Sequence, residues 1–334
     1  MINLKNKKIL ITGGTGSFGN AFVKITLDKF KPNLLVIYSR DESKQWDMAE
    51  KFKHCKNIKF VIGDVRDNIT LEKSLVGIDY VVHAAATKIV PTAETNAFEC
   101  IKTNINGSMN LINSCQNQGI KKVVALSTDK ACNPINLYGA TKLAADKLFI
   151  SANNFNKKHG GKKTKFSIVR YGNVIGSRGS VIPFFKKENI KGKIPITDLG
   201  MTRFLISLRE SVEFVWQSFE NMSGGEIFVK KIPSIKILDI ANAITAKKNN
   251  YKIIGIRPGE KMHEQMISKE DSFFTYEFKD HYRILPSIIK NINFYKVKSA
   301  KKVNKNFSYT SEKNISWLNS NDMRAWLKKY PNYF

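Results

Sequence analysis

The sequence predicts an α/β protein: a doubly wound parallel sheet followed by a smaller C-terminal lobe. Three observations carry that expectation. Apolar runs of strand length alternate with stretches of helical periodicity up to about residue 176. A glycine-rich segment, "GGTGSFG" (13–19), lies directly between the first run and the first helical stretch. Beyond residue 176 the alternation breaks into loop-rich sequence. Strand, helix, strand, repeated, gives a parallel sheet covered on both faces.

The elements follow in order. "KKILIT" (7–12) is the first strand, and Phe18 to Phe30 has helical periodicity. "NLLVIYSR" (33–40), "IKFVIGDV" (58–65), "DYVVHAAA" (79–86) and "KKVVALST" (121–128) are further strands, with a helix expected over Phe98 to Gln118. "KFSIVRYGNVIGS" (165–177) continues the series. Residues 1–176 are thus read as a Rossmann nucleotide-binding domain. Residues 177–334 are read as a smaller substrate-binding lobe, from which late strands can return to the main sheet. "LRESVEFVWQSFE" (208–220) is helical, and another helix is expected near Lys236, after a Pro-Ser turn.

Composition narrows the class. Of 334 residues 42% are apolar, enough for a sizeable core. No stretch approaches the roughly 18 apolar residues of a membrane span, and the apolar run at the N-terminus is too short for a signal peptide. A soluble, cytoplasmic protein is expected. Four cysteines lack close spacing and five histidines are scattered, so reduced thiols and no metal site are expected. The formal charge is +27. Lysine outnumbers arginine and is spread along the whole chain, unlike the Arg forks of nucleic-acid readers. A solvated surface, or a field drawing in anionic substrates such as sugar nucleotides, fits better.

Gly13, Gly16 and Gly19 let the backbone turn tightly and approach a pyrophosphate at the following helix N-terminus. An NAD-preferring site usually ends its second strand with Asp or Glu. Here Ser39 and Arg40 stand at that point, with Lys44 one turn on, a set suited to the 2′-phosphate of NADP. A solvated loop is the alternative for Arg40 and Lys44. Asp64 closes the third strand and either caps a turn or meets the adenine edge. The cofactor-binding set expected is Gly13, Thr15, Gly16, Ser17, Phe18, Gly19, Ser39, Arg40, Lys44, Asp64, Val65, Ala84, Ala85, Ala86 and Asn104, with Tyr138 and Lys142.

"STDKACNPINLYGATK" (127–142) carries the chemistry. Tyr138 and Lys142 are four apart and share one helix face. An ammonium beside a phenol favours phenolate, which can take a proton from a sugar hydroxyl while hydride leaves the same carbon. Asp129 and Lys130 follow the fifth strand, at the edge where ligands bind in such sheets. Hydroxyl oxidation needs only the Tyr, the Lys and a hydroxyl such as Ser127 or Thr128. Elimination of water needs an acid and a base besides; a structural salt bridge or turn cap is the alternative.

Those blocks, with "YSRDESKQ" (38–45), "RYGNVIGSRGSVIPFF" (170–185), "PITDLGMTRF" (195–204), "GGEIFVKKIPS" (224–234) and "IIGIRPGEKMHE" (253–264), span most of the chain. Through them it resembles the extended short-chain dehydrogenase/reductases, and within them the inverting UDP-N-acetylglucosamine 4,6-dehydratases that begin pseudaminic acid synthesis. Retaining dehydratases typically carry Asp-Glu in place of Asp-Lys, and epimerases carry neither. The resemblance implies a cycle. Tyr138, helped by Lys142, deprotonates the C4 hydroxyl as hydride passes to NADP⁺. Lys130 removes the C5 proton and Asp129 protonates the departing C6 hydroxyl. Hydride returns to C6, and C5 is reprotonated from the opposite face. Thr128 would help hold the 4-hydroxyl or ketone. Lys88, Asn173, Arg178, Val181, Thr197, Met201, Arg203, Arg257 and Glu260 would bind the nucleotide sugar.

The chain departs from the family pattern at Thr87, Ile89 and Cys132, where the family commonly has Leu, Gln and Ala. A homo-oligomer, dimer or hexamer, is implied, with no nucleic-acid or membrane partner. Competing functions are a retaining dehydratase, a C4 or C5 epimerase of a UDP-sugar, and a non-catalytic NADP-sensing protein.

Overall fold

A computed structural model describes residues 3–155, 163–245, 250–288 and 292–329. Strands β1 (Lys8–Thr12), β2 (Leu34–Ser39), β3 (Ile58–Ile62), β4 (Tyr80–His83), β5 (Lys122–Thr128) and β6 (Lys165–Tyr171) run parallel in the order β3-β2-β1-β4-β5-β6. The order reverses between β1 and β4, which opens a crevice at their C-terminal ends. β1 and β2 are almost wholly buried, as their continuous Val/Ile/Leu runs require. β3 lies at the edge of the sheet and is only partly covered, with Ile62 exposed.

Residues beyond 176 contribute to this same sheet. The strand Ile227–Lys230 lies parallel beside β6, and His281–Ile284, Thr275–Glu277 and Lys301–Lys302 extend it antiparallel. The helix Leu208–Asn221, started by a Ser207–Glu210 capping box, packs on helix α1 (Ser17–Phe30). There the Trp216 indole donates to Thr26 Oγ1 at 3.2 Å, and its ring meets Phe30 edge-on at 4.7 Å.

A second apolar cluster gathers Ile182 and Phe185 of the helix Val181–Lys191, Ile194, Ile196, Met201, Leu205 and Ile235. Ile237 and Ile240 complete it from the helix Ile237–Ile244, which begins one residue after Lys236. No helix among the described residues is long and apolar enough to cross a membrane, no metal-ligating cluster occurs among them, and all four cysteines are free.

The expected helix over Phe98 to Gln118 is not continuous. It is built from Ala97–Ile101, a π-helical turn at Lys102–Asn106, and Gly107–Asn117. Such insertions cluster at functional sites. This one carries Asn104, whose amide clamps a neighbouring loop.

Candidate active site

The glycine loop leaves β1 and closes against β4. Gly13 has φ +66°, and a Cβ there would lie 2.8 Å from the Ala85 backbone nitrogen. At Gly19 a Cβ would lie 2.1 Å from the Gly14 carbonyl oxygen, so only glycine lets α1 sit this close to the loop. No side chain caps α1 and its first turn holds no acid. That leaves the N-terminal N–H groups and the positive dipole end to an anion, as a dinucleotide pyrophosphate requires. The N–H groups of Ala84 and Ala85 reach the Thr12 hydroxyl at 3.2 and 3.3 Å. Ala86 lines the adjoining cleft of about 290 Å³ with Thr87, Lys88, Ile89, Arg178 and Gly179.

At the end of β2 the nearest acid is already committed. The Asp41 carboxylate caps helix α2 (Glu42–Lys51), accepting from the Lys44 backbone N–H at 2.9 Å and pairing with the Lys44 ammonium. Its hydrogen bonds from Lys44 hold the Asp41 carboxyl below the usual range, and Arg178 adds to that. Ser39 accepts from Thr15 Oγ1 and Gln45 Nε2, both at 3.1 Å. Arg40 is 60% exposed and stands 3.6 Å from Asp64. Asp64 itself caps a turn through the Arg66 N–H and binds the Arg66 guanidinium at 2.7 Å. Val65 is buried, and Phe18 stacks on Phe22.

Asn104 is buried. It accepts from the Thr87 N–H (2.8 Å) and donates to the Thr87 carbonyl (3.0 Å) and to Thr141 Oγ1 (3.0 Å). Its amide therefore positions the loop after β4 against the Tyr138 helix. His83, buried beside Thr12, is held neutral, pushed down to about 3 by burial and then by Lys142.

The helix Leu137–Ser151 carries Tyr138 and Lys142, and its N-terminus is tied to the turn that holds Asp129 and Lys130. Asn136 caps it, accepting from the Gly139 N–H at 2.8 Å. A Cβ at Gly139 would lie 2.2 Å from the Lys130 carbonyl oxygen, so the helix packs directly on the turn Asp129–Ala131. Gly139→Ala is accordingly expected to push that turn away. Turnover should fall at least tenfold and stability by about 1–3 kcal/mol; kcat and a denaturant melt check both.

Side chains alternate along β5, which separates its two candidate hydroxyls. Ser127 turns to Asp146, donating at 2.8 Å. Thr128 is the one beside Tyr138, whose proton affinity it lowers, and its hydroxyl donates to Asp129 Oδ1 at 3.0 Å. The half-buried phenol is pushed up to about 12 by burial, against the pull of the Lys130 ammonium and of Thr128. The cation acting foremost on Tyr138 is thus Lys130. Lys142 donates to the Leu126 carbonyl at 2.7 Å, and burial lowers its proton affinity.

Asp129 and Lys130 form an ion pair of 3.1 Å, and a third group joins it. Glu264 Oε1 lies 2.7 Å from Lys130 Nζ. Asp129 and Glu264 are each 1% exposed. Burial, then repulsion from Glu264, raises the Asp129 carboxyl. Burial works to lower the Lys130 ammonium, but the two carboxylates outweigh it and raise it. Lys130 therefore rests as an ammonium, not as the free amine a base must be. Asp129 Oδ2 and Glu264 Oε2 are buried without a partner.

The expected sugar-nucleotide residues fall into groups. Glu260 gathers three of them: Arg203 at 3.3 Å, Arg257 at 2.9 Å and Thr197 at 3.4 Å. Gly259 next to it accepts from Asn136 Nδ2 at 2.8 Å, which seats this cluster at the start of the Tyr138 helix. Lys88 and Arg178 form a second group over the glycine loop. The Lys88 ammonium donates to the Arg178 carbonyl at 3.0 Å, and the Arg178 N–H reaches Ser17 Oγ at 3.0 Å. Met201 is buried in the second apolar cluster and Val181 packs against it. Asn173 pairs with Leu205 in a small sheet. Sequence reasoning missed Asn136, Gly139 and Glu264. Asn136 precedes a helix and was findable as a cap; Glu264 makes its contact 134 residues away in sequence and leaves no local signal.

A family of polysaccharide biosynthesis proteins matches residues 9–286. A Campylobacter jejuni protein named UDP-N-acetylglucosamine 4,6-dehydratase (inverting) is 54% identical over 97% of both chains. A Rickettsia bellii protein named UDP-glucose 4-epimerase is 41% identical over 96% of this chain and 95% of its own. The crystal structure of Pen from Bacillus thuringiensis superposes with a TM-score of 0.88 at 35% identity, covering 99% of each chain.

Proposed function

The chain belongs to the polysaccharide biosynthesis protein family and to the inverting 4,6-dehydratase branch of the extended short-chain dehydrogenase/reductases, and on that premise we propose that it is an NADP-dependent dehydratase of UDP-N-acetylglucosamine. The product is a UDP-4-keto-6-deoxy sugar inverted at C5, which enters pseudaminic acid synthesis in the cytoplasm. The observation that carries this reading is the Lys130 ammonium between two buried carboxylates beside Tyr138. Oxidation of a hydroxyl, or epimerisation at C4, needs no such group.

The chemistry follows from proton positions. When bound, NADP supplies the hydride acceptor and a positive charge that favours the Tyr138 phenolate. Tyr138, beside Thr128, takes the proton of the C4 hydroxyl. The Asp129–Lys130 contact lets one proton cross from the ammonium to the carboxylate, leaving an acid and a free amine. Lys130 then takes the C5 proton while Asp129 gives its proton to the C6 oxygen, and water departs. That step restores the ammonium and the carboxylate; the hydride taken at C4 would then return to C6, C5 would take a solvent proton from the opposite face, and Tyr138 would release the proton it took, which closes the cycle.

Preference for NADP is supported by Ser39 at the end of β2, by Asp41 being committed to Lys44, and by the exposed guanidinium of Arg40. Self-association is supported by Phe98 and Met109, large apolar side chains exposed on neighbouring helices.

The test is mass spectrometry with NMR on UDP-N-acetylglucosamine in deuterated water. The expected product has lost one water, carries a 4-keto group, and holds deuterium at an inverted C5. Conversion to the C4 epimer without water loss would replace the reading by the epimerase one. Water loss with C5 retained would leave a dehydratase of the other stereochemistry.

A further inference from the structure

We propose that Glu264 is a positioning residue of the elimination: it anchors the Lys130 amine opposite Asp129 and governs how readily that amine gives up its proton. The inference rests on the dehydratase reading above and extends it to a residue outside the local motif.

Glu264 is held rigidly from both sides of its backbone. Its N–H donates to Ser311 Oγ at 2.9 Å, and its carbonyl accepts from the Ser311 N–H at 2.8 Å. Ser311 Oγ is in turn 2.7 Å from Thr202 Oγ1. The carboxylate is fully enclosed, and Oε1 meets Lys130 at 2.7 Å, closer than Asp129 at 3.1 Å. Oε2 has no partner. Leaving a buried carboxylate oxygen without a donor is costly, and such groups persist where chemistry uses them.

The charges around the site define the effect. Asp129, Glu264, Arg203 and Tyr138 surround Lys130. Glu264 itself faces Lys130, Arg203 (Nε at 3.8 Å) and Lys261. Burial pushes its carboxyl up, but these cations overcome that and keep it ionised. Arg203 is shared with Glu260, so Glu264 remains the principal second anion on Lys130. Two anions make Lys130 a resting ammonium; one anion, Asp129, suffices for the internal proton transfer. Glu264 also repels the Asp129 carboxylate, which favours the proton residing there. It thus favours the acid form of Asp129 and steadies the amine beside it.

The experiment compares water loss and C5 deuterium incorporation, as functions of pH, in the wild type, Glu264→Gln and Glu264→Asp. Glutamine keeps an oxygen for Lys130 and removes the charge. In Glu264→Gln the limb along which elimination rises with pH should move down by about one pH unit or more. KM for the sugar nucleotide and the pH limb of nicotinamide reduction should stay unchanged. Glu264→Asp keeps the charge, so its limb should stay where it is while kcat falls. A limb unmoved in Glu264→Gln, with kcat lowered equally at every pH, would show a merely structural carboxylate and overturn the proposal. Should Glu264→Gln fail to fold, a moved limb in Glu264→Asp would overturn it equally. Failure of the dehydratase reading is distinct, because the wild type itself would then release no water.

Discussion

Tyr138→Phe is expected to lower kcat by about 10²–10⁴-fold, the span of a lost general acid–base group. Phenylalanine keeps the ring where it packs and removes only the hydroxyl beside Thr128. Folding and cofactor retention should therefore be unchanged. The loss falls on the first step, because the C4 hydroxyl has no other base. Lys142 is committed to the Leu126 carbonyl, and Asp129 and Lys130 are paired with each other. The measurement is single-turnover nicotinamide absorbance on mixing with UDP-N-acetylglucosamine. The variant should show no burst of reduced cofactor and no water loss. A normal burst would remove Tyr138 from the C4 step.

Lys130→Ala is expected to differ in kind. Tyr138 and the glycine loop remain, so oxidation at C4 should persist, slowed by loss of the cation beside the phenol but visible as reduced nicotinamide, while water loss and C5 exchange fall to background. Full dehydratase activity would show that Lys130 is not the base. The substitution also carries a stability signature. Asp129 and Glu264 lose the cation between them and stay buried. Removing one member of a buried pair costs about 3–5 kcal/mol. Without the ammonium, burial and the Glu264 charge raise the Asp129 carboxyl further above its unfolded value, so the variant's stability is greatest at acid pH and is lost as pH rises through that raised value. Thermal melts across pH 5–8 should show the gap between variant and wild type widening as pH rises. A gap constant with pH would mean the carboxylates are not repelling each other.

Much of this was legible along the chain because it depends on local spacing. Strands β1, β2 and β5 are short runs rich in Val, Ile and Leu, and a run buried on both faces can say little else. The glycine loop is a local steric demand, fixed by the approach of Gly19 to Gly14 and of Gly13 to Ala85. Tyr138 and Lys142 share a helix face because 3.6 residues make a turn. Asp129 and Lys130 stand at a strand end that the alternation of elements already placed on the ligand side.

Other features had no local signature. The interruption at Lys102–Asn106 follows from Asn104 bonding to Thr87 and Thr141, which no periodicity encodes. The return of Ile227–Lys230 to the main sheet is a pairing with β6 across more than fifty residues. The charge state of the site was hidden for the same reason. Residue types and spacing determined which groups stand at the strand edge: a phenol, two amines and an acid. Only the tertiary structure brought Glu264 to Lys130 and buried both carboxylates, and burial together with charge proximity decides which of those groups holds a proton.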